Sequence, residues 1–286
     1  MNGTPFSVSL STGSLYNLSL RTTFSLAKDL GLDGVELAIG PECAMRGPRE
    51  VRVMARRHGV RILSLHPPIL PLPGWIRLTE VVAALARWAG ELGVAVVTLH
   101  TPKTESLASE SGQRYALAVE QLACELRRIG STLALENRAR FSSKEAVQCL
   151  DAPDDLLRFA RAHGTGVTFD TAHAGTLFGD ILPAYHVLSA DIVNIHFSDL
   201  VSGRSFLGQH WSDTVLRHHQ IPGRGVLPLA VLIQGLCQQK YAGLLTLECS
   251  PVALRSWSSC QRRIRLAEGL DFILTHAAPL CPSPLH

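Results

Sequence analysis

The sequence predicts one closed barrel of eight parallel strands ringed by helices, a (β/α)8 or TIM barrel occupying residues 1–286 as a single domain. Three observations predict it. Short β-branched runs alternate with amphipathic, helix-like segments eight times along the 286 residues, the pattern of repeated βα units and a parallel sheet. Helix-like segments end on glycine directly before the next strand-like run. Six of the eight runs also carry a histidine, aspartate or glutamate at their last or next-to-last residue, as expected if all strands point the same way and present their carboxyl ends at one rim.

The strand-like runs are 6–11 (FSVSLS), 34–39 (GVELAI), 60–66, 94–100, 132–137, 166–170, 191–197 and 244–249. Between the first two, 19–31 places Phe24, Leu26 and Leu30 near helical spacing and closes on Gly31. The same grammar recurs in 77–93, 113–130 and 153–164. In the last, Pro153 followed by Asp154 and Asp155 marks a helix start: proline suits the first turn and acids suit its positive end. Eight such units in fewer than 290 residues favour closure over an open sheet, and no linker divides the chain. Two connections break the rhythm, 67–76 (PPILPLPGWI) and 198–226. Both follow strand carboxyl ends, where barrel loops build binding sites. The first is stiffened by prolines into a fixed wall. The stretch 276–286, with its prolines, reads as a frayed tail.

Composition narrows the class. The chain is 46% hydrophobic and 18% charged, with Lys plus Arg 27 against Asp plus Glu 24 and a formal charge of +3. That balance argues against a dedicated nucleic-acid surface, which carries a basic stripe. No apolar run approaches the roughly 20 residues of a membrane span, and the first residues lack a basic segment before an apolar core. A cytoplasmic protein without membrane contact is expected. The seven cysteines form no CxxC pair and read as buried or incidental thiols. Homo-oligomerisation through the apolar loop 67–76 stays open.

The six rim residues are His66, His100, Glu136, Asp170, His196 and Glu248, separated by 34, 36, 34, 26 and 52 residues. A single histidine at a strand end is more often a hydrogen-bonded structural group than a ligand. Six groups converging on a barrel mouth are different, because three carboxylates packed there would repel one another unless a cation lay among them. Imidazole with carboxylate suits a divalent metal: zinc or manganese foremost, with iron, cobalt or magnesium also accommodated.

Taken in order, GLDGVEL (31–37), SLHPP (64–68), LENR (135–138), FDTAH (169–173), NIHFSD (194–199), HHQIPGRG (218–225) and YAGLLTLEC (241–249) resemble the xylose isomerase-like TIM-barrel superfamily. That superfamily holds sugar isomerases and epimerases together with the endonuclease IV type of abasic-site nuclease. The resemblance covers nearly the whole chain and implies two uses of the site. In the epimerase branch one ion is held by positions like Glu136, Asp170, His196 and Glu248. There Glu136 and Glu248 also move the proton, on a small sugar, sugar phosphate or polyol derivative, and Arg138 and His173 position substrate. In the nuclease branch positions like His66 and His100 hold a second ion with Glu136, and a phosphodiester or abasic nucleic acid is the substrate. A third ion there uses positions like His173 and His218 with an aspartate two residues before the second histidine. Leu216 stands at that place here, which argues against a third ion, although Asp213 lies in the same loop. One or two ions are therefore expected. The leading reading is the isomerase or epimerase, the alternative the dinuclear phosphodiesterase, and a metal-holding binding protein without turnover ranks third.

Other residues carry competing readings. Glu36 is either a substrate contact or the partner of a barrel arginine. Trp75 and Trp211 could stack on a sugar ring, against the commoner role of anchoring a loop. Arg224, like Arg204 and Arg217, could bind an anionic group on a substrate or simply be solvated.

Overall fold

A computed structural model describes residues 4–140, 144–203 and 216–278. Eight parallel strands close into a barrel in sequence order: β1 (Ser7–Ser11), β2 (Gly34–Ala38), β3 (Ile62–His66), β4 (Val96–His100), β5 (Thr132–Glu136), β6 (Gly166–Asp170), β7 (Ile192–Phe197) and β8 (Leu244–Leu247), with β8 pairing back onto β1. Among the described residues nine α-helices surround it: α1 (Leu20–Asp29), α2 (Pro41–Arg57), α3 (Leu78–Leu92), α4 (Glu110–Arg128), α5 (Pro153–His163), α6 (Thr171–Phe178), α7 (Leu182–Leu188), α8 (Leu229–Gln238) and α9 (Ser259–Ala277). The expected (β/α)8 architecture is the observed one.

Several boundaries differ from expectation for local reasons. The runs at 60–66 and 94–100 enter the sheet two residues late, because Val60 N–H bonds back to the Ala55 carbonyl at the end of α2 and Val94 belongs to the turn after α3. The last run leaves the sheet at Leu247, although Glu248 N–H still reaches the Phe197 carbonyl at 3.3 Å. His276 and Ala277 remain helical in α9, so the expected tail starts too early; 279–286 lie outside the described residues, as do Arg204, Trp211 and Asp213. The helix ends obey the expected chemistry. Gly93 and Gly164 close α3 and α5 in the left-handed conformation, and Pro153 opens α5 ahead of the two aspartates.

Strand alternation divides the barrel into two environments. Val8, Leu10, Val35, Leu37, Val97, Leu99, Phe169 and Phe197 point outward and are fully or almost fully buried against the helices in the main core. The opposite face lines the interior, and there the residues two before the rim groups are small or polar: Ser64, Thr98, Ala134, Thr168, Asn194 and Thr246. Each polar member is buried and paired. Ser9 Oγ meets Thr246 Oγ1 at 2.8 Å, Thr246 donates to Asn194 at 2.9 Å, and Thr98 meets Thr168 at 3.1 Å. A polar interior of this kind is tolerable only because it is satisfied.

The connection after β7 is pinned by one carboxylate. Asp199, 1% exposed, accepts from the backbone N–H groups of Leu200 and Leu227 through Oδ1 and of Gly223 and Gly225 through Oδ2, at 2.8–3.1 Å. A methyl group at Gly225 would sit 2.3 Å from Asp199 Oδ1, so this close approach requires glycine. Replacing Asp199 by alanine strands four donors, each costing about 1–3 kcal/mol when buried without a partner. With partial rehydration, Asp199→Ala is expected to destabilise the protein by about 3 kcal/mol in urea unfolding; a change below about 1 kcal/mol would show that the loop is held by something else.

Candidate metal centre

The strand ends deliver the rim residues to one place. Glu136 and Asp170 close β5 and β6, His66 and His100 close β3 and β4, His196 sits within β7, and Glu248 follows β8. His196 is the hub. Its Nδ1 lies 3.0 Å from Glu136 Oε1, 2.9 Å from Glu248 Oε2 and 3.8 Å from Asp170 Oδ2. One ligating atom from each of these four residues falls within 4.8 Å of the others. Metal–ligand bonds of about 2.1 Å place neighbouring ligand atoms about 3.0–3.4 Å apart in octahedral or tetrahedral shells; the Glu136 and Glu248 oxygens lie at about that distance from His196 Nδ1, and the Asp170 oxygen lies farther out. His66 Nε2 and His100 Nε2 approach the other Glu136 oxygen, Oε2, at 3.2 and 3.3 Å.

The carboxylates and imidazoles are aimed by groups behind them. Asp170 caps α6: Oδ1 accepts from His173 N–H at 2.7 Å, while the buried Oδ2 accepts no hydrogen bond among the described residues and faces the cluster. His66 Nδ1–H donates to the Pro67 carbonyl at 2.6 Å, which turns Nε2 toward Glu136. His196 Nε2–H donates to Glu36, 3.1 Å from Oε1 and 3.2 Å from Oε2, which turns Nδ1 toward the carboxylates. The Glu36 carboxylate also accepts from Ser64 Oγ at 2.9 Å and Asn194 Nδ2 at 3.1 Å. An orphaned carboxylate oxygen and two histidines with one nitrogen already committed are the donor set that a divalent cation uses.

The charges confirm how strained this set is without a cation. Burial opposes ionisation of Glu136, yet the charges of His196 and His100 and hydrogen bonds from His196 and His66 hold its carboxyl well below the usual range. Glu248 is likewise lowered against the effect of burial, chiefly by His196. Asp170 is raised: burial dominates, and His173 and His219 offset it only in part. Burial pushes His196 down, but the charges of Glu36, Glu248 and Glu136 carry it well above the ordinary imidazole value. For His66 burial is outweighed in the same way by Glu136, bringing it up to about 9. Burial and the neighbouring histidines outweigh Glu136 at His100 and hold it down, and His173 is raised against burial by Asp170 and Glu136.

A second group forms beside the first. His219, not His218, joins Asp170 and His173; its ring stands edge-on to His173 with centroids 5.2 Å apart. His219 has φ of +49°. Counting back two residues from it reaches Arg217 rather than Leu216, and the Arg217 Nε–H donates to the Val201 carbonyl. His218 is buried and is not part of this group.

Four other candidate residues lie off the cavity lining. Glu36 is fully buried and pairs with His196 rather than with an arginine or the cavity. Arg138 is 8% exposed and lies 3.6 Å from Glu145 and 3.7 Å from Asp151, clear of the cavity wall. Arg224 pairs with Glu268 at 2.7 Å on the surface, and Trp75 packs against the main core as a loop anchor. Trp211 lies outside the described residues. His219, Asn194 and Ser64 are site-building residues that pattern reading missed. The last two sit two residues before a rim group, which is the signal that would have found them.

A cavity of about 330 Å³ opens over the cluster, lined by His66, His100, Glu136, His173, His219 and Glu248 on one side and by Tyr16, Ile69, Leu70, Pro251 and Val252 on the other. Cys249 reaches its edge, but its thiol donates to the Gln220 carbonyl and burial raises it far above a reactive value.

Residues 24–276 match the family described as xylose isomerase-like TIM barrel. An uncharacterized protein of Mycobacterium leprae (strain TN) is 28% identical over 293 residues, covering 94% of this chain and 97% of that protein. One of Mycobacterium tuberculosis (strain ATCC 25618 / H37Rv) is 28% identical over 288 residues with the same coverage. Among solved structures, the 3-keto-D-glucoside 4-epimerase of E. coli superposes with a TM-score of 0.66 at 16% identity, covering 93% of this chain and 99% of that one. The D-psicose 3-epimerase of Clostridium cellulolyticum H10 does so with 0.69 at 15% identity, covering 95% and 99%. At such identities the likeness is one of fold.

Because His196 is raised well above the ordinary imidazole value, it carries a proton at neutral pH in the metal-free protein, and an entering ion must displace it. Affinity is therefore expected to weaken as pH falls. Zinc titration calorimetry at pH 7 in two buffers of different ionisation heat should show release of at least one proton per ion. Zero release would mean that His196 is not a ligand.

Proposed function

The chain belongs to the xylose isomerase-like TIM-barrel family, and on that footing we propose that it is a divalent-metal-dependent isomerase or epimerase acting on a sugar or polyol derivative. The observation that carries this reading is the four-residue group Glu136, Asp170, His196 and Glu248, with its buried, unpartnered Asp170 oxygen, at the floor of a ligand-sized cavity. These four would hold the ion. When bound, it supplies Lewis acidity that lowers the pKa of a C–H beside a substrate carbonyl.

The chain's own groups do the rest. Glu136 and Glu248 both stay ionised at neutral pH, as a base must. Glu248 presents its carboxylate at the cavity and takes the proton. Glu136 serves the opposite side of the substrate; His66, hydrogen-bonded to its Oε2, stands ready to exchange the proton it handles, and His100 lies 3.3 Å from the same oxygen. His173 and His219, on the cavity wall, orient hydroxyl groups. Epimerases of D-psicose and of 3-keto-D-glucosides share the fold, which supports a substrate bearing a carbonyl beside a carbinol carbon.

A second reading is a phosphodiesterase with two or more ions. The approach of His66 and His100 to Glu136 and the group Asp170, His173 and His219 favour it. Against it, none of the described residues lining the cavity is Lys or Arg, so a phosphodiester would rely on ions alone for charge neutralisation.

Two measurements separate the readings. The metal-loaded protein incubated with D-tagatose or D-allulose in D2O is expected to incorporate deuterium at the carbon beside the carbonyl, and Glu248→Gln to slow this by about 10²–10⁴-fold, the usual contribution of a positioned base. Elemental analysis should give about one ion per chain, unchanged in His66→Ala/His100→Ala. No exchange together with two or more ions, falling in the double variant, would overturn the epimerase in favour of the phosphodiesterase.

A further inference from the structure

A second cavity, of about 240 Å³, adjoins the one over the metal centre. It lies between the turn after β1, the starts of α1 and α2, and the loop after β3, and its walls include Leu15, Leu20, Ile39, Ile69, Leu70 and Leu72. The two cavities share Gly13, Tyr16, Ile69 and Leu70. At the neck between them, a Cβ on Gly13 would meet Ile69 Cδ1 at 2.4 Å, so any side chain there would have to displace the Ile69 wall. The metal cavity alone is near the lower end of the about 300–1,000 Å³ typical of ligand sites, and the joined space is well within it.

The polar groups of this arm are already engaged. Thr12 Oγ1 accepts from Ala38 N–H at 2.9 Å and lies 3.3 Å from the Ala38 carbonyl. Thr23 Oγ1 donates to the Ser19 carbonyl. The Glu42 carboxylate accepts from Leu20 N–H and Arg46 Nε–H, both at 2.8 Å. A hydroxyl group entering among the leucine and isoleucine side chains would give up its water for groups largely engaged elsewhere, whereas a methylene would gain from burial there. Among the described residues neither cavity is lined by Lys or Arg, so no guanidinium or ammonium there receives a phosphate or carboxylate. The shared rim keeps Tyr16 58%, Ile69 48% and Leu70 60% exposed, a contiguous apolar edge of the kind that marks a binding site.

We propose that the substrate is an uncharged carbohydrate carrying an alkyl or aryl substituent, with its polar end over Glu136 and Glu248 and the substituent in the apolar arm beside Leu15, Leu20 and Ile39. This deepens the epimerase reading and rests on it for the polar end alone. The arm is a feature of the β1 and β3 loops, so it discriminates among sugars without touching the proton-transfer groups. It favours a glycoside over the free sugar and rejects the sugar phosphate.

The test compares hexyl and methyl β-D-glucopyranoside, with glucose 6-phosphate as the charged control, by titration calorimetry on the metal-loaded full chain. Each buried methylene is worth about fourfold in affinity, so burial of about three of the five added ones predicts a preference for the hexyl compound of at least about 30-fold. Leu20→Phe, which fills the arm, should reduce this to under about threefold and leave the methyl compound unchanged. Should that variant not fold, Ile69→Asp on the exposed loop carries the same test through the ratio. A ratio near one, a ratio unmoved by either variant, or tighter binding of the phosphate overturns the proposal. So does concentration-dependent self-association with no chain-length preference, which would assign the apolar rim to a second copy of the chain. Loss of the metal-centred reading looks different: purified protein without bound metal that still binds by chain length would sink the epimerase and leave the arm standing.

Discussion

Four carboxylates, those of Glu36, Glu136, Asp170 and Glu248, are buried within reach of the single imidazole of His196. Taking that much negative charge out of water is prohibitive unless cations accompany it. In the metal-free protein the compensation is protonic: His196 is driven well above, and His66 up to about 9, while Asp170, the carboxylate with an oxygen left over, is raised toward its neutral form. Protons are a diffuse solution to a localised problem. One divalent ion held where the four ligating atoms of Glu136, Asp170, His196 and Glu248 converge would remove the same repulsion and free the protons.

The polar barrel interior follows from that constraint. A TIM barrel is ordinarily filled with branched apolar side chains in layers. Here the layer beneath the rim is Ser9, Glu36, Ser64, Thr98, Thr168, Asn194 and Thr246, all fully buried, and hydrogen bonds run from Ser9 through Thr246 and Asn194 to Glu36. The chain of donors ends on the carboxylate that fixes which nitrogen of His196 faces the cluster. Orientation of the central imidazole is thereby tied to the far side of the barrel, and the apolar packing that would normally stabilise this layer is carried instead by the outward-facing residues under the helices.

Parallel topology explains why so much was legible. When every strand runs the same way, the last residue of each falls on one rim, so His66, His100, Glu136, Asp170, His196 and Glu248 could be read as one constellation from their position at the ends of runs. Period-two alternation does not say what lies beneath, and Glu36, halfway along its run, passes equally for a substrate contact until its burial is seen. Loops obey neither rule. HHQ offers two adjacent histidines, and only the coordinates show that His219 is the one grouped with Asp170 and His173. Arg138 and Arg224 were conspicuous because they are arginines near motifs, yet each is spent on carboxylates away from the cavity, Asp151 and Glu145 for one and Glu268 for the other.

The division of labour between rim and loops also bears on which reaction the barrel supports. Four carboxylates against one divalent ion would leave the rim net negative once imidazole protons are displaced, and the cavity walls add no lysine or arginine among the described residues. A substrate that brings its own negative charge would restore the repulsion that the ion relieves. A substrate that brings only hydroxyl and carbonyl oxygens adds ligands without adding charge. On the proposed reading, the charge balance that organises the interior would therefore favour neutral, oxygen-rich ligands at the floor, and the leucine- and isoleucine-lined space next to it would favour an apolar group at their other end.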